Sequence, residues 1–357
     1  MVMLSRPELS ELPDQLDIPA AWRGEDLARQ PQLWSSELTP EEIQELESAA
    51  SGFLSSGKPV GEIKKADFPL QKFGQRLVEL RDTFRFGLGF TLLRGLPVER
   101  YDMETLVVMY CGIGVHLGSL RSQNGRGHIL GHVKDVGMSL SDPSVRIYQT
   151  NERQSFHTDT TDVVGLLCLK AARSGGLSML VSTATLYNEM RSQRPDLLPV
   201  LFELVSTDRR GEIPEGQSRL FEIPVLNWYQ GYLTGLYQRT YITSALQYPE
   251  ALPMTDEKIE ALDFFDQLAN DNRFNLKMPL EPGDMQFVYN HTILHDRTHY
   301  EDWPDPDQRR HLLRLWVSLP EDRPLPPAFT QRYGSIEPGN RGGIITKHTR
   351  LTVPLAP

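Results

Sequence analysis

His157 and Asp159 stand two residues apart, and far downstream come His291, His295 and His299, then Arg309, Arg310 and Arg314. Two imidazoles and one carboxylate can hold Fe(II) on one face and leave the opposite coordination positions open, as in the non-haem iron oxygenases. Side chains at i and i+2 of an extended segment leave the same side, so His157 and Asp159 can reach one ion. Ser155, Thr158, Thr160, Thr161 and Asp162 surround the pair with polar groups able to orient a ligand. The second imidazole must come from elsewhere, and spacing does not choose among His291, His295 and His299.

The arginines narrow the chemistry. In an extended Arg310–Val317 segment, Arg310, Leu312, Arg314 and Trp316 share one face. Guanidiniums pointing into a protein interior are costly unless they meet anions. A planar fork that grips a carboxylate with two hydrogen bonds suits the far end of a 2-oxo dicarboxylic acid. Arg309, next to the acidic Asp305-Pro306-Asp307 stretch, reads as a surface charge, whereas Arg314 is embedded between apolar residues.

These groups need a scaffold. A chain of 357 residues can bury a sizeable core, and 39% hydrophobic with 24% charged residues is ordinary for a globular protein. A net charge of -10 argues against nucleic acid or an anionic membrane as the main partner. Two cysteines, Cys111 and Cys168, exclude a disulfide framework and a structural zinc site. Met1–Leu16 lacks a signal-peptide pattern and no window reads as a membrane span, so a cytoplasmic location is expected.

The first third reads as helical. Thr39 caps a helix with Pro40 at its first position and Glu42 completing a capping box. A helix over Pro69–Phe86, a strand over Phe90–Arg94 and a helix over Asp102–His116 follow. Ser119–Gly137 reads as a long loop or lid. Strands are expected over Arg146–Thr150, Val163–Ala172 and Leu177–Val181, with Gly175-Gly176 as a hairpin turn between the last two. Helices are expected over Ala184–Arg194 and Thr255–Asn270, then strands over Met285–Tyr289 and His311–Leu319. Two groups of strands with helices in front suit an α+β barrel or sandwich rather than a doubly wound sheet. Gly112-Ile113-Gly114 lacks the strand–loop–helix order of a nucleotide site.

Phe156-His157-Thr158-Asp159, Gly175-Gly176-Leu177-Ser178, Asn290–Arg297 and Arg310–Trp316 together resemble the taurine dioxygenase and clavaminate synthase-like Fe(II)/2-oxoglutarate-dependent dioxygenases. The resemblance spans about Phe90 to Leu319. It implies a double-stranded β-helix (jelly-roll, cupin-like) core over residues 90–320 with an insertion at 184–280. A helical N-terminal extension over 1–89 and a C-terminal tail over 321–357 complete a single domain. It makes His157, Asp159 and His295 the metal ligands, His295 because it lies five residues after Asn290. It gives Arg310, helped by Ser178 where the family more usually has threonine, the distal carboxylate of 2-oxoglutarate. Arg314 becomes a catalytic arginine near the metal, although the long gap after His295 keeps Arg309, Arg310 and Arg314 all in play for the carboxylate.

The activity so implied is oxidation of an unactivated C–H bond of a small molecule with dioxygen, releasing succinate and CO2. Hydroxylation is the commonest outcome; desaturation, cyclisation and epimerisation use the same residues. Substrate contacts are expected from Gln123, Asn124, His128 and His132, from Tyr148, Thr150 and Asn151, and from Trp228, Tyr229, Tyr237 and Arg239. A homo-oligomer is left open. Two other readings use the same ligands: a cupin-like divalent-metal hydrolase or isomerase, which gives Arg310 no special duty, and a non-catalytic binder of metal or organic acid.

Overall fold

The computed structural model describes residues 6–138, 145–345 and 349–357. Residues 1–5 of the Met1–Leu16 segment lie outside them. The capping signals act as read: Thr39 accepts from Glu42 N, Glu42 reaches back to Thr39 N, and the helix runs Pro40–Ser55. Asp102 caps Met103–Leu117 and Thr255 caps Asp256–Asn270. No helix among the described residues is long and apolar enough to cross a membrane.

Two sheets carry the centre. The larger has seven strands in the order Ser35–Glu37, Phe90–Arg94, Met285–Tyr289, Val163–Lys170, His311–Ser318, with Ser119–Leu120 and Leu130–Val133 both pairing His311–Ser318. Its pairings are antiparallel except the first. The smaller is a four-stranded antiparallel sheet ordered Asn275–Met278, Ser178–Ser182, Ile293–Arg297, Gln154–His157.

Period-two alternation sorts the side chains. Along His311–Ser318, Leu313, Leu315 and Val317 join a core with Phe53, Phe73, Leu77 and Val107 of the N-terminal helices. Leu312 and Trp316 face the other way, into a core shared with Val164 and Val288 of the large sheet and Leu180, Leu276 and Ile293 of the small one. The two sheets therefore pack face to face, and the outer side of the small sheet is covered by Thr183–Gln193 and Asp256–Asn270 through Leu186, Leu262 and Phe265. Polar residues of the same parity as Leu312 and Ile293, namely Arg310, Arg314 and His295, are carried into the space between the sheets.

Three expectations need correction. Ile147–Gln149 is a 3-10 turn, not part of a strand; Thr150 Oγ1 accepts no strand ladder but donates to the Ile147 carbonyl, closing the turn. Ser119–Gly137 is not all loop, because Leu130–Val133 pairs with Leu312–Leu315. Gly175-Gly176 does not close a hairpin: Val163–Lys170 belongs to the large sheet and Ser178–Ser182 to the small one. These glycines, at φ 73° and 67°, carry the chain across. A Cβ on Gly175 would lie 2.3 Å from the His299 carbonyl oxygen, and one on Gly176 would lie 3.1 Å from Arg310 Nε. Gly112 and Gly114 are packing residues within Met103–Leu117, where a Cβ would meet the Phe68 ring and Leu120.

Candidate metal centre and its two chambers

His157 ends its strand directly opposite His295 on the neighbouring strand, and their ring centroids lie 4.1 Å apart. Asp159 follows in a tight turn closed by Thr161 N donating to its carbonyl at 2.9 Å. One potential ligand atom from each of His157, Asp159 and His295 lies within 4.8 Å of the others. Asp159 Oδ1 is 3.9 Å from His157 Nε2 and Oδ2 is 3.8 Å from His295 Nε2. Of the three downstream histidines, then, His295 converges on the pair. His291 is turned into a separate buried network, donating toward Asp162 at 2.8 Å.

The ligand turn is held from several sides. Asn290 Oδ1 accepts from Asp159 N at 2.9 Å, while Thr158 N donates to the Tyr237 carbonyl and Tyr237 N to Thr158 Oγ1. Trp316 Nε1 donates to Asp159 Oδ2 at 2.9 Å. His157 Nδ1–H donates to the Ser155 carbonyl at 2.8 Å, leaving the Nε2 lone pair toward the centre, where Gln154 Nε2 lies 2.9 Å away. Beneath the turn, Asp162 accepts from His291, Ser318 Oγ, Leu319 N and Arg341 Nε, and Arg341 also grips Asp322 at 2.6 Å. Asp162, His291 and Asp322 also lie close enough to hold an ion, but the cationic partner there is the Arg341 guanidinium.

Electrostatics suit a cation at the triad. Burial, and then the neighbouring His157, hold His295 down at about 3; His157 is lowered chiefly by burial. Burial alone would raise Asp159, yet the Arg314 guanidinium and the hydrogen bond from Trp316 help draw it below the usual carboxylate range. Two neutral imidazoles and an ionised carboxylate are the protonation states that bind a divalent metal.

Two chambers meet at this centre, sharing Tyr148, Gln154, His157 and Arg314 in their walls. The inner one lies between the sheets and is lined by His295, Ser178, Arg297 and Arg310. Arg310 is buried, its backbone N held by Asp302 Oδ1 at 2.7 Å, and its Nη1 has no partner. Ser178 Oγ donates to Gln286 Oε1 at 2.8 Å. Arg309 lies outside this chamber, its Nε 3.4 Å from the Trp303 carbonyl. Arg314 is fixed by Gln123, whose Oε1 accepts from Nε at 2.7 Å, and its Nη1 sits 3.6 Å from Asp159 Oδ2.

The outer chamber takes in about 810 Å³ of space that includes open solvent at its mouth. Gln123, Tyr148 and Tyr237 line it. Asn124, Asn151, Trp228, Tyr229 and Arg239 do not. Asn124 folds back on its own loop, accepting from Arg126 N, and with His128 and His132 it lines a separate surface cleft. Asn151 supplies its carbonyl to Tyr300 N. Trp228 packs against the small sheet's outer core, and Arg239 pairs with Asp263 and Asp266 at 2.6 and 3.3 Å. A cation beside two carboxylates of the neighbouring helix has no reason to enter the chamber.

Sequence reasoning gave no role to Trp316, Arg297, Glu212 or Arg332. Trp316 was findable, lying two residues beyond Arg314 on the same strand face. Arg297, buried with Nε and Nη1 unpartnered, shares the Tyr300 ring with Arg310. Glu212 and Arg332 come from segments with no local signal.

Residues 56–316 match the family described as "Taurine catabolism dioxygenase TauD, TfdA family". The chain belongs to that family. Among TauD/TfdA relatives, FR-33289 synthase of Streptomyces rubellomurinus is 32% identical over 300 residues, covering 81% of this chain and 87% of that protein. Taurine hydroxylase-like protein SAT17 of Stachybotrys chartarum is 29% identical over 340 residues, covering 92% and 86%. The solved structure of asparagine oxygenase with Fe(II), 2S,3S-3-hydroxyasparagine and succinate shares the fold at TM-score 0.60 and 17% identity, covering 80% of this chain and 93% of that one. The non-heme iron oxygenase OrfP with Fe and alpha-ketoglutaric acid gives a TM-score of 0.59 at 15% identity, covering 79% and 93%. The TauD/TfdA match ends at 316, so Arg332 and Arg341 lie beyond it.

Proposed function

We propose that this chain is an Fe(II)/2-oxoglutarate-dependent dioxygenase that hydroxylates an unactivated C–H bond of a small molecule. His157, Asp159 and His295 would hold the iron. Arg310, with Ser178 beside it, would hold the distal carboxylate of 2-oxoglutarate in the inner chamber. The observation that carries this reading is the buried Arg310 guanidinium, whose Nη1 has no hydrogen-bond partner, in a chamber that opens onto the His–Asp–His triad. A buried guanidinium is retained where an anion will meet it.

When bound, the iron and cosubstrate supply the oxidising power by coupling loss of CO2 from 2-oxoglutarate to reduction of dioxygen. The protein's part is placement. Gln123 fixes Arg314 beside Asp159, Trp316 fixes the carboxylate, and the apolar core between the sheets walls the inner chamber through Val164 and Leu312. The substrate would enter the outer chamber, whose wall includes Tyr148, Tyr237 and Arg314. The family membership and the relative named as a hydroxylase-like protein support hydroxylation over desaturation or cyclisation. The face-to-face sheets and the likeness to the oxygenase structures support a jelly-roll core in one domain over 1–357.

The test is anaerobic addition of Fe(II) and 2-oxoglutarate to metal-free protein, followed by succinate release in air. A visible charge-transfer band and succinate are expected. Arg310→Ala should raise the KM for 2-oxoglutarate about tenfold to a hundredfold, the loss of a charge-assisted hydrogen bond. Unchanged turnover in Arg310→Ala would favour a divalent-metal hydrolase or isomerase instead.

A further inference from the structure

Beyond the cosubstrate chamber, the outer chamber carries charge that the reading above does not use. Its wall includes Arg146 and Arg332 together with Arg314, against two carboxylates, Asp159 of the triad and Glu212. Arg332 belongs to the short helix Thr330–Tyr333, in the C-terminal segment after the family match ends. That segment is docked on the ligand turn: Gly343 N donates to the Thr160 carbonyl at 2.7 Å, and a Cβ on Gly342, at φ 74°, would lie 2.7 Å from the same oxygen. Arg332 Nε donates to Thr160 Oγ1 at 2.8 Å, which sets the guanidinium one residue from Asp159. Its Cζ stands 5.4 Å from the centroid of the Phe221 ring. Its two terminal nitrogens have no hydrogen-bond partner among the described residues, and the side chain lines both this chamber and a second cleft shared with Arg209, Gln217 and Asn340.

Glu212 is the opposing charge. Its carboxylate makes no ion pair within 4.0 Å among the described residues, and it sits on a turn where Arg210 and Gly211 both have positive φ. Arg146, Arg332 and Arg314 all bear on it, opposing the effect of its burial. Arg314 is already set against Asp159 at 3.6 Å, which leaves Arg146, Arg332 and Glu212 as the other charges of the wall, and an arriving anion would compete with Glu212 for Arg332.

We infer that Arg332 is a substrate-recognition residue, and that the substrate carries an oxyanion group (carboxylate, sulfonate, phosphate or phosphonate) that this guanidinium binds in the outer chamber, with Glu212 as the competing charge. This rests on the assignment of the inner chamber to 2-oxoglutarate. A terminal oxyanion at Arg332 orients the rest of the molecule back toward His157 and Asp159, because Thr160 ties the arginine to the ligand turn.

The experiment is a fluorescence titration of the metal-free protein with acetate, methanesulfonate, methylphosphonate and tetramethylammonium. The parent is compared with Arg332→Ala, Arg332→Lys, Glu212→Gln and Arg310→Met. Expected are saturable binding of at least one oxyanion, about tenfold or more weaker in Arg332→Ala, partly restored in Arg332→Lys, and tightened in Glu212→Gln. The loss in Arg332→Ala should persist when Arg310→Met is also present, which separates this site from the cosubstrate guanidinium; the tightest oxyanion names the headgroup. Equal binding in parent and Arg332→Ala, or preference for tetramethylammonium, overturns the inference. An anion response without a charge-transfer band would instead sink the iron assignment and leave this one standing.

Discussion

Replacing Trp316 with phenylalanine removes the indole N–H that donates to Asp159 Oδ2 at 2.9 Å, yet keeps an aromatic ring in the core between the sheets. A hydrogen bond to a charged acceptor contributes about 1.5–3 kcal/mol, or roughly ten- to a hundredfold in an equilibrium constant. Two effects oppose each other. Losing a donor makes the carboxylate more basic, which strengthens ligation, but it also frees the side chain to rotate. The remaining cation, Arg314 Nη1, is 3.6 Å from Oδ2, too far to restore the geometry by itself. Outer partners of metal ligands are typically worth about ten- to a hundredfold in affinity, so orientation should win. The expected outcome is Fe(II) binding weakened by that amount in an anaerobic titration, with the KM for 2-oxoglutarate at saturating iron little changed, since Arg310 is untouched. Circular dichroism checks that the fold persists. Iron affinity within twofold of the parent would refute the view that Trp316 positions the carboxylate.

Arg341→Met should cost about 3–5 kcal/mol in urea unfolding, because it strands the buried carboxylates of Asp162 and Asp322; a loss under about 1 kcal/mol would show that their other partners suffice. Seven histidines, His116, His128, His132, His157, His291, His295 and His311, have folded pKa values lowered, chiefly by burial, with His295 and His311 at about 3. The unfolded chain therefore binds more protons below its ordinary histidine pKa. Stability of the metal-free protein should be full above about pH 6.5 and fall as pH drops toward 3; a urea midpoint flat between pH 7 and 5 would contradict this. Burial pushes the Cys111 and Cys168 thiols up to about 12, so native protein should resist alkylation at pH 8 and react at both thiols once unfolded. Prompt stoichiometric labelling of the native chain would show that the helix around Cys111 and the strand around Cys168 open.

Local chemistry was legible wherever a residue's neighbours in sequence are its neighbours in space. Thr39, Asp102 and Thr255 cap helices through bonds spanning three residues, and the Arg310–Trp316 face follows from strand alternation, so both could be read directly. The four motifs carried the family, and hence the expectation that His295 joins His157 and Asp159. Arg146–Thr150 was misread because a short apolar run does not distinguish a strand from a 3-10 turn, and only the packing around it selects one. Gly175-Gly176 looked like a hairpin because turn residues report a reversal without saying which sheet receives the chain. What the tertiary structure alone decided is which distant charges share a space. It sent Arg239 to the carboxylates of a helix, buried Arg341 beneath the ligand turn, and brought Arg332 and Glu212 to the chamber wall. The reason is physical: a guanidinium's role is set by the anions and cavities within a few ångströms of it, and those are supplied by chain segments from 24 to 179 residues away.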